Sequence, residues 1–279
     1  MSMRTVLKSY TGTPTVEGAG VSLTRIFSQP DVKDLDPFLL LDFFDASDPQ
    51  DYSAGFPMHP HRGIETITYL IKGRIAHEDS LGNKGIITPL GCQWMTAGRS
   101  ILHQEMPDAS VPILGTQLWL NLPRANKMTE PAYREITAAD VAVYDASDVL
   151  VRVLAGNFHG CVGPVKGTYV DPLYFDVTVH PRGTFAIDVP ADDTVFLFLL
   201  EGAIEFHQQG VFSSTNTRGI LLSKGDHVSV HSDQGARFLF IAGKPINEPI
   251  AWGGPIVMNS QEELRTAFQQ LQAGTFIQP

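Results

Sequence analysis

The segment Gly55-Phe56-Pro57-Met58-His59-Pro60-His61-Arg62-Gly63-Ile64-Glu65 contains two histidines separated by a single residue. A second pair with the same spacing, His103 and Glu105, begins 42 positions after His61. On a β-strand, residues two apart point to the same face and lie roughly 6.6 Å apart. Each pair can therefore present two donor groups to one metal ion, and this pattern predicts a metal site on strands.

Three imidazoles and one carboxylate suit a borderline divalent metal such as iron, nickel, copper, manganese or zinc, because nitrogen and oxygen donors mix readily there. Glu65 is an alternative carboxylate, since it lies four residues after His61 and keeps the same strand parity. Spacing alone leaves the choice between Glu65 and Glu105 open. A lone histidine is more often structural than a ligand, and His77 and His159 are interpreted in that way.

The composition narrows the class of protein. The chain has 279 residues, 43% apolar residues and a net charge of −10, which allows real cores but disfavours direct binding to nucleic acid. It contains no long apolar run, signal-peptide core or polybasic patch, so we expect no membrane association and a cytoplasmic protein. Cys92 and Cys161 are too few for a disulfide framework.

Short β-branched or aromatic runs, punctuated by Gly and Pro, predict an all-β protein with antiparallel strands. Strands are expected over 66–71, 115–121 and 174–179. One helix is predicted at the C-terminal end. Ser260 can cap it with Glu263 three positions on, and Gly274 can end it.

An internal repeat indicates two similar domains. The segment around Gly73 resembles the segment around Gly202, 129 positions later, so we expect one domain over residues 1–130 and a second over 131–279. Counting by this offset, the positions of the first histidine pair fall on Asp188 and Pro190. A second echo pairs Thr88-Pro89-Leu90-Gly91 with Leu222-Ser223-Lys224-Gly225-Asp226 at an offset of 134, and counting from Gly225 puts the second pair on Arg237 and Leu239. The second domain is therefore expected to lack the metal ligands.

The His-x-His strand, the glycine-bounded hairpin and the later ligand pair together resemble the cupin plan, here duplicated as a bicupin. More closely, the chain resembles pirin and the bacterial pirin-like proteins along most of its length. The segments that carry this resemblance are Asp36-Pro37-Phe38-Leu39-Leu40-Leu41-Asp42, His59-Pro60-His61-Arg62-Gly63-Ile64-Glu65-Thr66, Gln93-Trp94-Met95-Thr96-Ala97-Gly98-Arg99, His103-Gln104-Glu105-Met106-Pro107, Gln117-Leu118-Trp119-Leu120-Asn121-Leu122 and Gly254-Pro255-Ile256-Val257-Met258-Asn259.

The resemblance implies two tandem cupin barrels of the jelly-roll, or double-stranded β-helix, type with a short C-terminal helix. It also implies one metal, typically Fe²⁺, in the N-terminal barrel, with its ligand positions at His59, His61, His103 and Glu105. This favours Glu105 over Glu65 as the carboxylate ligand. Arg62 and Glu65 then become candidates for supporting interactions around the ligands.

Similar proteins cleave quercetin with dioxygen and release carbon monoxide, so the resemblance implies a quercetin 2,3-dioxygenase type of oxidoreductase acting on a flavonol or related enol. Glu105 is our hypothesis for the general base that takes the substrate's hydroxyl proton. The alternative is an iron-dependent metal or redox sensor that regulates a partner protein, as the animal relatives do. The oligomeric state stays open, and a monomer is compatible with two fused barrels.

Overall fold

The computed structural model describes residues 2–166, 168–206 and 209–277, and strands dominate it. The strands of the first half are β1 (Val6–Tyr10), β2 (Thr13–Glu17), β3 (Val21–Phe27), β4 (Phe38–Ala46), β5 (Phe56–His61), β6 (Ile64–Lys72), β7 (Ile75–Asp79), β8 (Lys84–Ile87), β9 (Cys92–Thr96), β10 (Ile101–Pro107), β11 (Ile113–Asn121) and β12 (Ala132–Ile136). Those of the second half are β13 (Ala142–Asp145), β14 (Val149–Ala155), β15 (Asn157–Phe158), β16 (Cys161–Val162), β17 (Leu173–Val179), β18 (Gly183–Asp188), β19 (Thr194–Phe206), β20 (Gly210–Ser213), β21 (Gly219–Leu222), β22 (His227–Ser232), β23 (Ala236–Gly243), β24 (Ala251–Gly253) and β25 (Ile256–Met258). The three strands predicted from composition lie within β6, β11 and β17.

Two α-helices accompany the strands, α1 (Val32–Leu35) and α2 (Gln261–Gln272). The second is the predicted C-terminal helix. Its capping box is present, because Ser260 accepts from the backbone N–H of Glu263 while the Glu263 carboxylate accepts from the backbone N–H of Ser260. Gly274 follows the helix with a φ of +70°. In the described part of the chain, no helix has the length and apolar character needed to cross a membrane.

The chain forms two compact units, and neither is continuous in sequence. The first barrel consists of Thr13–Val32, Phe38–Ala138 and Ile246–Pro279, and the second consists of Met1–Gly12, Lys33–Pro37 and Ala139–Pro245. The chain thus returns to the first barrel after completing the second. The single boundary expected near residue 130 stays a prediction.

The first barrel contains two antiparallel sheets. One has seven strands in the order β12-β9-β6-β11-β4-β3-β2, and the other has four in the order β5-β10-β7-β8. Apolar side chains from both sheets share one buried cluster, which includes Leu70 and Ile113 from the larger sheet and Ile75 and Ile87 from the smaller. The sheets therefore face each other across a common core.

The predicted ligand pairs lie on neighbouring strands of the four-stranded sheet. In the pairing of β5 with β10, His59 stands opposite His103 and His61 stands opposite Ile101. The register shifts between His103 and Glu105, so that Glu105 stands opposite Phe56. This irregularity displaces the carboxylate relative to the histidines on the partner strand.

Aromatic residues fill the second barrel. Its sheet has ten strands, including the 13-residue strand β19. The ring centroids of Phe175 and Phe240 are 5.7 Å apart, and those of Phe185 and Phe240 are 5.4 Å apart. All three rings are fully buried. Such an interior resembles an ordinary apolar core, in which aromatic pairs add to the stabilisation from burial.

The counting argument for the second ligand pair was wrong by one strand. Arg237 and Leu239 lie on β23, whereas β22 is the counterpart of β10, because β22 pairs with β18 as β10 pairs with β5. Gly91 precedes β9, whereas Gly225 follows β21, which pairs with β19 as β9 pairs with β6. The two glycines are therefore not equivalent, and counting from them lands one strand too far. The absence of metal ligands from the second domain stays a prediction.

Candidate metal centre

Three of the four predicted ligands converge. The ligating nitrogens of His59, His61 and His103 all lie within 4.8 Å of one another, the one group of this kind found in the described ranges. The ring centroids of His59 and His103 are 4.3 Å apart, and those of His61 and His103 are 5.0 Å apart. Strand parity places His59 and His61 on one face of β5, and the pairing with β10 brings His103 beside them.

Backbone carbonyls determine which nitrogen of each β5 histidine carries the proton. Nδ1 of His59 lies 2.9 Å from the Pro57 carbonyl oxygen, and Nδ1 of His61 lies 3.1 Å from that of Pro255. A carbonyl can only accept a hydrogen bond, so both Nδ1 atoms are the donors. In the neutral rings both Nε2 atoms then present lone pairs, and these two atoms are 3.1 Å apart.

Two facing lone pairs repel unless a cation lies between them, so this geometry fits a metal ion. Two nitrogens at right angles around one ion, each at a typical bond length, are about 3.0 Å apart. Burial, followed by the charge of His59, lowers the pKa of His61 to about 3. The imidazole therefore stays neutral and able to bind metal at ordinary pH.

His103 supplies a further test of the fit. Its side chain is fully buried, and neither ring nitrogen has a hydrogen-bond partner among the described residues. A buried polar atom without a partner costs free energy, and its presence calls for a missing ligand. Burial, followed by the charges of the nearby histidines, holds the pKa of His103 well below its usual range. The residues present therefore fit a divalent metal.

Glu105 is buried beside the triad but is not part of the converging group. Its Oε1 accepts from the Thr68 hydroxyl at 2.8 Å, and its Oε2 accepts from Nε2 of Gln117 at 2.7 Å. Both donors lie on the seven-stranded sheet, so these bonds link the two sheets at the site. Both carboxylate oxygens of Glu105 therefore have a protein donor.

The side chains of Glu65 and Arg62 form their hydrogen bonds with groups other than the three histidines. Glu65 is fully buried on β6, where its Oε1 accepts from the Thr96 hydroxyl at 2.6 Å, and burial raises its pKa. The Arg62 guanidinium donates to the carbonyls of Arg99 and Phe276 and to the side chain of Gln270. Any support that Arg62 lends to the ligands must therefore act through these groups.

His77, which was interpreted as a structural residue, lies next to the histidine triad. Its ring centroid is 5.4 Å from that of His103, and it stacks on Tyr133 at 4.6 Å. Both ring nitrogens have partners, since Nδ1 lies 2.9 Å from Nε2 of Gln93 and Nε2 lies 3.5 Å from a carboxylate oxygen of Asp79. This buried ring forms part of the wall behind the triad.

A cavity of about 630 Å³ opens beside His59 and His61. Trp119 and Trp252 form one side of it, with ring centroids 5.9 Å apart, and Trp119 meets His61 edge-on at 5.0 Å. Gln117 lines the cavity while also holding Glu105, and its Oε1 accepts from Nε1 of Trp119 at 3.0 Å. The volume lies in the usual range for small-molecule sites.

Several residues of this site were not predicted. Gln117 and Trp119 stand two apart on β11 and share a face, so strand parity was a signal that could have identified them. The Pro255 carbonyl and Trp252 lie far along the chain from the histidines, and no local pattern points to them. Arg25 and Asp42, which also line the cavity, belong to runs that read as ordinary strand.

A β-barrel with three converging histidines beside a cavity defines a cupin-type protein, and comparisons with known proteins agree. The Pirin family model matches residues 20–120, and the model of the Pirin C-terminal cupin domain matches residues 174–277. The chain belongs to the pirin family. A Pseudomonas aeruginosa protein named "Putative quercetin 2,3-dioxygenase" is 43% identical over 277 residues, which are 97% of each chain.

Two further relatives span nearly the whole chain. A pirin-like protein of Caulobacter vibrioides is 44% identical over 280 residues, covering 99% of this chain and all of that protein. The crystal structure of a quercetin 2,3-dioxygenase from Acinetobacter baumannii aligns with a TM-score of 0.89 at 32% identity, covering 99% of both chains. The predicted fold of two cupin domains with a short C-terminal helix is confirmed.

Proposed function

We propose that this protein is a metal-dependent dioxygenase that cleaves quercetin or a related flavonol with dioxygen and releases carbon monoxide. The observation that carries the proposal is the convergence of three imidazoles beside a cavity of about 630 Å³. The names of the Pseudomonas and Acinetobacter relatives support the same activity.

The cavity suits a flat aromatic molecule. Trp119 and Trp252 offer large indole faces, and Leu40 and Phe56 add apolar surface among the lining residues. Aromatic rings stack or meet edge-on with such faces, which adds to the free energy gained from burial. A flavonol bound between these walls would bring its central ring towards His59 and His61.

The polar lining selects for hydroxyl groups and against acids. Arg25 donates to both carboxylate oxygens of Asp42, at 2.9 and 2.8 Å, and to Glu17 at 2.8 Å. One positive and two negative groups leave a net negative lining with carboxylate oxygens as acceptors. Phenolic hydroxyls can donate to these oxygens, whereas an anionic carboxylate on a substrate would be repelled.

His59, His61 and His103, with Glu105, would hold one divalent metal, of which Fe²⁺ is the first candidate and nickel, copper, manganese or zinc also match the donors. Bound there, the metal would supply Lewis acidity towards the flavonol oxygens and, if redox-active, electron transfer to dioxygen. Glu105 would accept the 3-hydroxyl proton. Gln117 and Thr68 hold its two oxygens ready beside the cavity.

The test is aerobic quercetin consumption with detection of carbon monoxide, on protein loaded with Fe²⁺. Wild type is compared with His61→Ala and with the control His231→Ala, which changes a partly exposed histidine of the second barrel. We expect release by wild type and the control but not by His61→Ala. If wild type holds iron and releases none, the dioxygenase proposal fails and regulation of a partner protein becomes the leading function.

Glu105→Gln tests the role of the carboxylate. The substitution keeps the size of the side chain but removes the proton acceptor, so we expect turnover to fall at least 100-fold, the lower end of the usual contribution of a general base. Bound metal is quantified in the same samples. Full activity in a variant that retains its metal would contradict the assignment.

A further inference from the structure

The last part of the chain contributes directly to the candidate metal centre. We define the return segment as residues 246–277, which belong to the first barrel and contain β24, β25 and α2. Its residues Trp252, Gly254 and Pro255 line the cavity. The Pro255 carbonyl also accepts from Nδ1 of His61, a contact that joins positions 194 apart in sequence.

This carbonyl determines which ring nitrogen of His61 carries the proton. Because it can only accept, it keeps the proton on Nδ1 and leaves the Nε2 lone pair directed towards His59. A histidine that binds a metal through one nitrogen typically donates from the other to a carbonyl or carboxylate, which fixes the tautomer and the ring orientation. The return segment supplies that acceptor through its backbone, without any special side chain.

The residue next to His61 attaches the return segment. The carbonyl of Arg62 accepts from the backbone N–H of Val257 at 3.1 Å, and Arg62 forms a parallel bridge with Ile256. Its guanidinium donates to Oε1 of Gln270 at 2.7 Å and to the Phe276 carbonyl at 3.1 Å. The guanidinium carbon lies 4.3 Å from the centre of the Phe276 ring. Main chain and side chain of Arg62 thus both bind this segment.

A buried lysine holds the segment at a second point. Nζ of Lys127 donates to the carbonyls of Val257 and Gly63, at 2.9 and 2.8 Å, and to the side-chain oxygen of Asn121 at 2.5 Å. Gly63 has a φ of +77°, and a Cβ there would collide with the Val257 carbonyl oxygen. The chain therefore packs against the segment with no room for a side chain directly after the ligand stretch.

We propose that the return segment is a positioning element for the metal centre, in which docking by Arg62, Gln270 and Phe276 places the Pro255 carbonyl against His61 and thereby raises metal affinity. The proposal rests on the metal function assigned to the triad. Loss of an outer partner of a metal ligand typically costs 10 to 100-fold in affinity. We expect about a tenfold loss when the docking contacts of Arg62 are removed.

The experiment measures the dissociation constant for Fe²⁺ under anaerobic conditions, by competition with a chromophoric chelator. Gln270→Ala combined with Phe276→Ala removes two docking contacts that lie outside the metal site. Gln269→Ala is the matched control, because it makes the same substitution at the preceding, exposed position of α2. Gln270→Glu keeps the oxygen acceptor for Arg62, so we expect this single variant to bind Fe²⁺ about as tightly as wild type.

A second readout separates positioning from general loss of structure. In metal-free protein labelled with ¹⁵N-histidine, the ring nitrogen shifts report the tautomer of His61. We expect a single Nδ1–H form in wild type and in Gln269→Ala, and a mixture of tautomers in the double variant. This spectrum is informative even if the double variant is less stable, provided that it is recorded below its unfolding temperature.

The outcomes distinguish the two levels of the inference. A double variant with the dissociation constant and the His61 spectrum of wild type would overturn the positioning role, given that His61→Ala loses iron. If His61→Ala binds iron as tightly as wild type, the metal site itself is misassigned. A tenfold loss of Fe²⁺ affinity in the double variant, with wild-type affinity in Gln269→Ala and Gln270→Glu, supports the proposal.

Discussion

Gln117→Leu tests how Glu105 is held. The change keeps a side chain of similar size but removes the donor that lies 2.7 Å from Oε2 of Glu105 and the acceptor for Nε1 of Trp119. Glu105 is 2% exposed, so water cannot readily replace the lost bond. A hydrogen bond to a charged group contributes about 1.5–3 kcal/mol, and leaving a buried partner unsatisfied costs a similar amount.

We therefore expect metal-free Gln117→Leu to be about 2 kcal/mol less stable than wild type. For a domain of this size, a loss of about 1 kcal/mol lowers Tm by roughly 2–4 °C, so the expected decrease is roughly 4–8 °C. Differential scanning calorimetry of the metal-free protein measures it. Saturation with Fe²⁺ should reduce the difference if Glu105 then binds the metal, because the metal would be a further partner for the carboxylate that has lost Gln117.

The matched control is Gln104→Leu, which makes the same substitution on β10, where the side chain bonds the partly exposed Glu78 instead. We expect a change within about 0.5 kcal/mol for the control, as for most surface substitutions. If Gln117→Leu has the same Tm as Gln104→Leu, both with and without iron, the claim that Gln117 stabilises the buried carboxylate is refuted.

Three further results are expected. Adding Fe²⁺ at about 100 times its dissociation constant should stabilise wild type by about 2.7 kcal/mol, and His61→Ala should abolish this shift in calorimetry. Burial raises the pKa of Glu65, so above the ordinary glutamate pKa of 4.5 the folded state binds more protons than the unfolded state. The free energy of unfolding therefore falls as pH rises towards the folded pKa. Glu65→Gln should reduce this dependence of stability on pH, as measured by urea unfolding at several pH values. Asp176→Ala should destabilise the second barrel by about 3 kcal/mol in urea, because it leaves Arg237 without its two-point carboxylate partner, whereas Asp188→Ala at an exposed position should have little effect.

Strand parity predicted that His59 and His61 share a face, and the pairing of β5 with β10 adds His103. His59 and His61 had to share a face once the segment formed a strand, and His103 joined them because β5 and β10 are neighbours. Parity could not predict where Glu105 would point relative to them, because the register shifts between His103 and Glu105. A shift of this kind depends on how two strands pair, which neither strand encodes alone.

The internal repeat predicted two similar barrels but misplaced one strand. The count for the second ligand pair treated Gly225 as the counterpart of Gly91, but Gly91 precedes β9 and Gly225 follows the equivalent strand β21. The strand pairing shows the equivalence of β22 and β10 directly. The repeat therefore predicted two similar barrels, whereas the equivalence of individual residues required the strand pairing.

The acceptor for His61 illustrates a limit of a different kind. Its partner is a main-chain carbonyl 194 residues away, so the chemistry of the Pro255 side chain carries no information about the contact. Arg62 was predicted as a supporting residue, and in the structure its guanidinium bonds Gln270 of α2 and the Phe276 carbonyl. Since any residue can supply a carbonyl, the contact with His61 depends on the groups that hold the backbone in place. Substitutions at Gln270 and Phe276 are consequently the ones expected to reveal the dependence of the metal centre on the end of the chain.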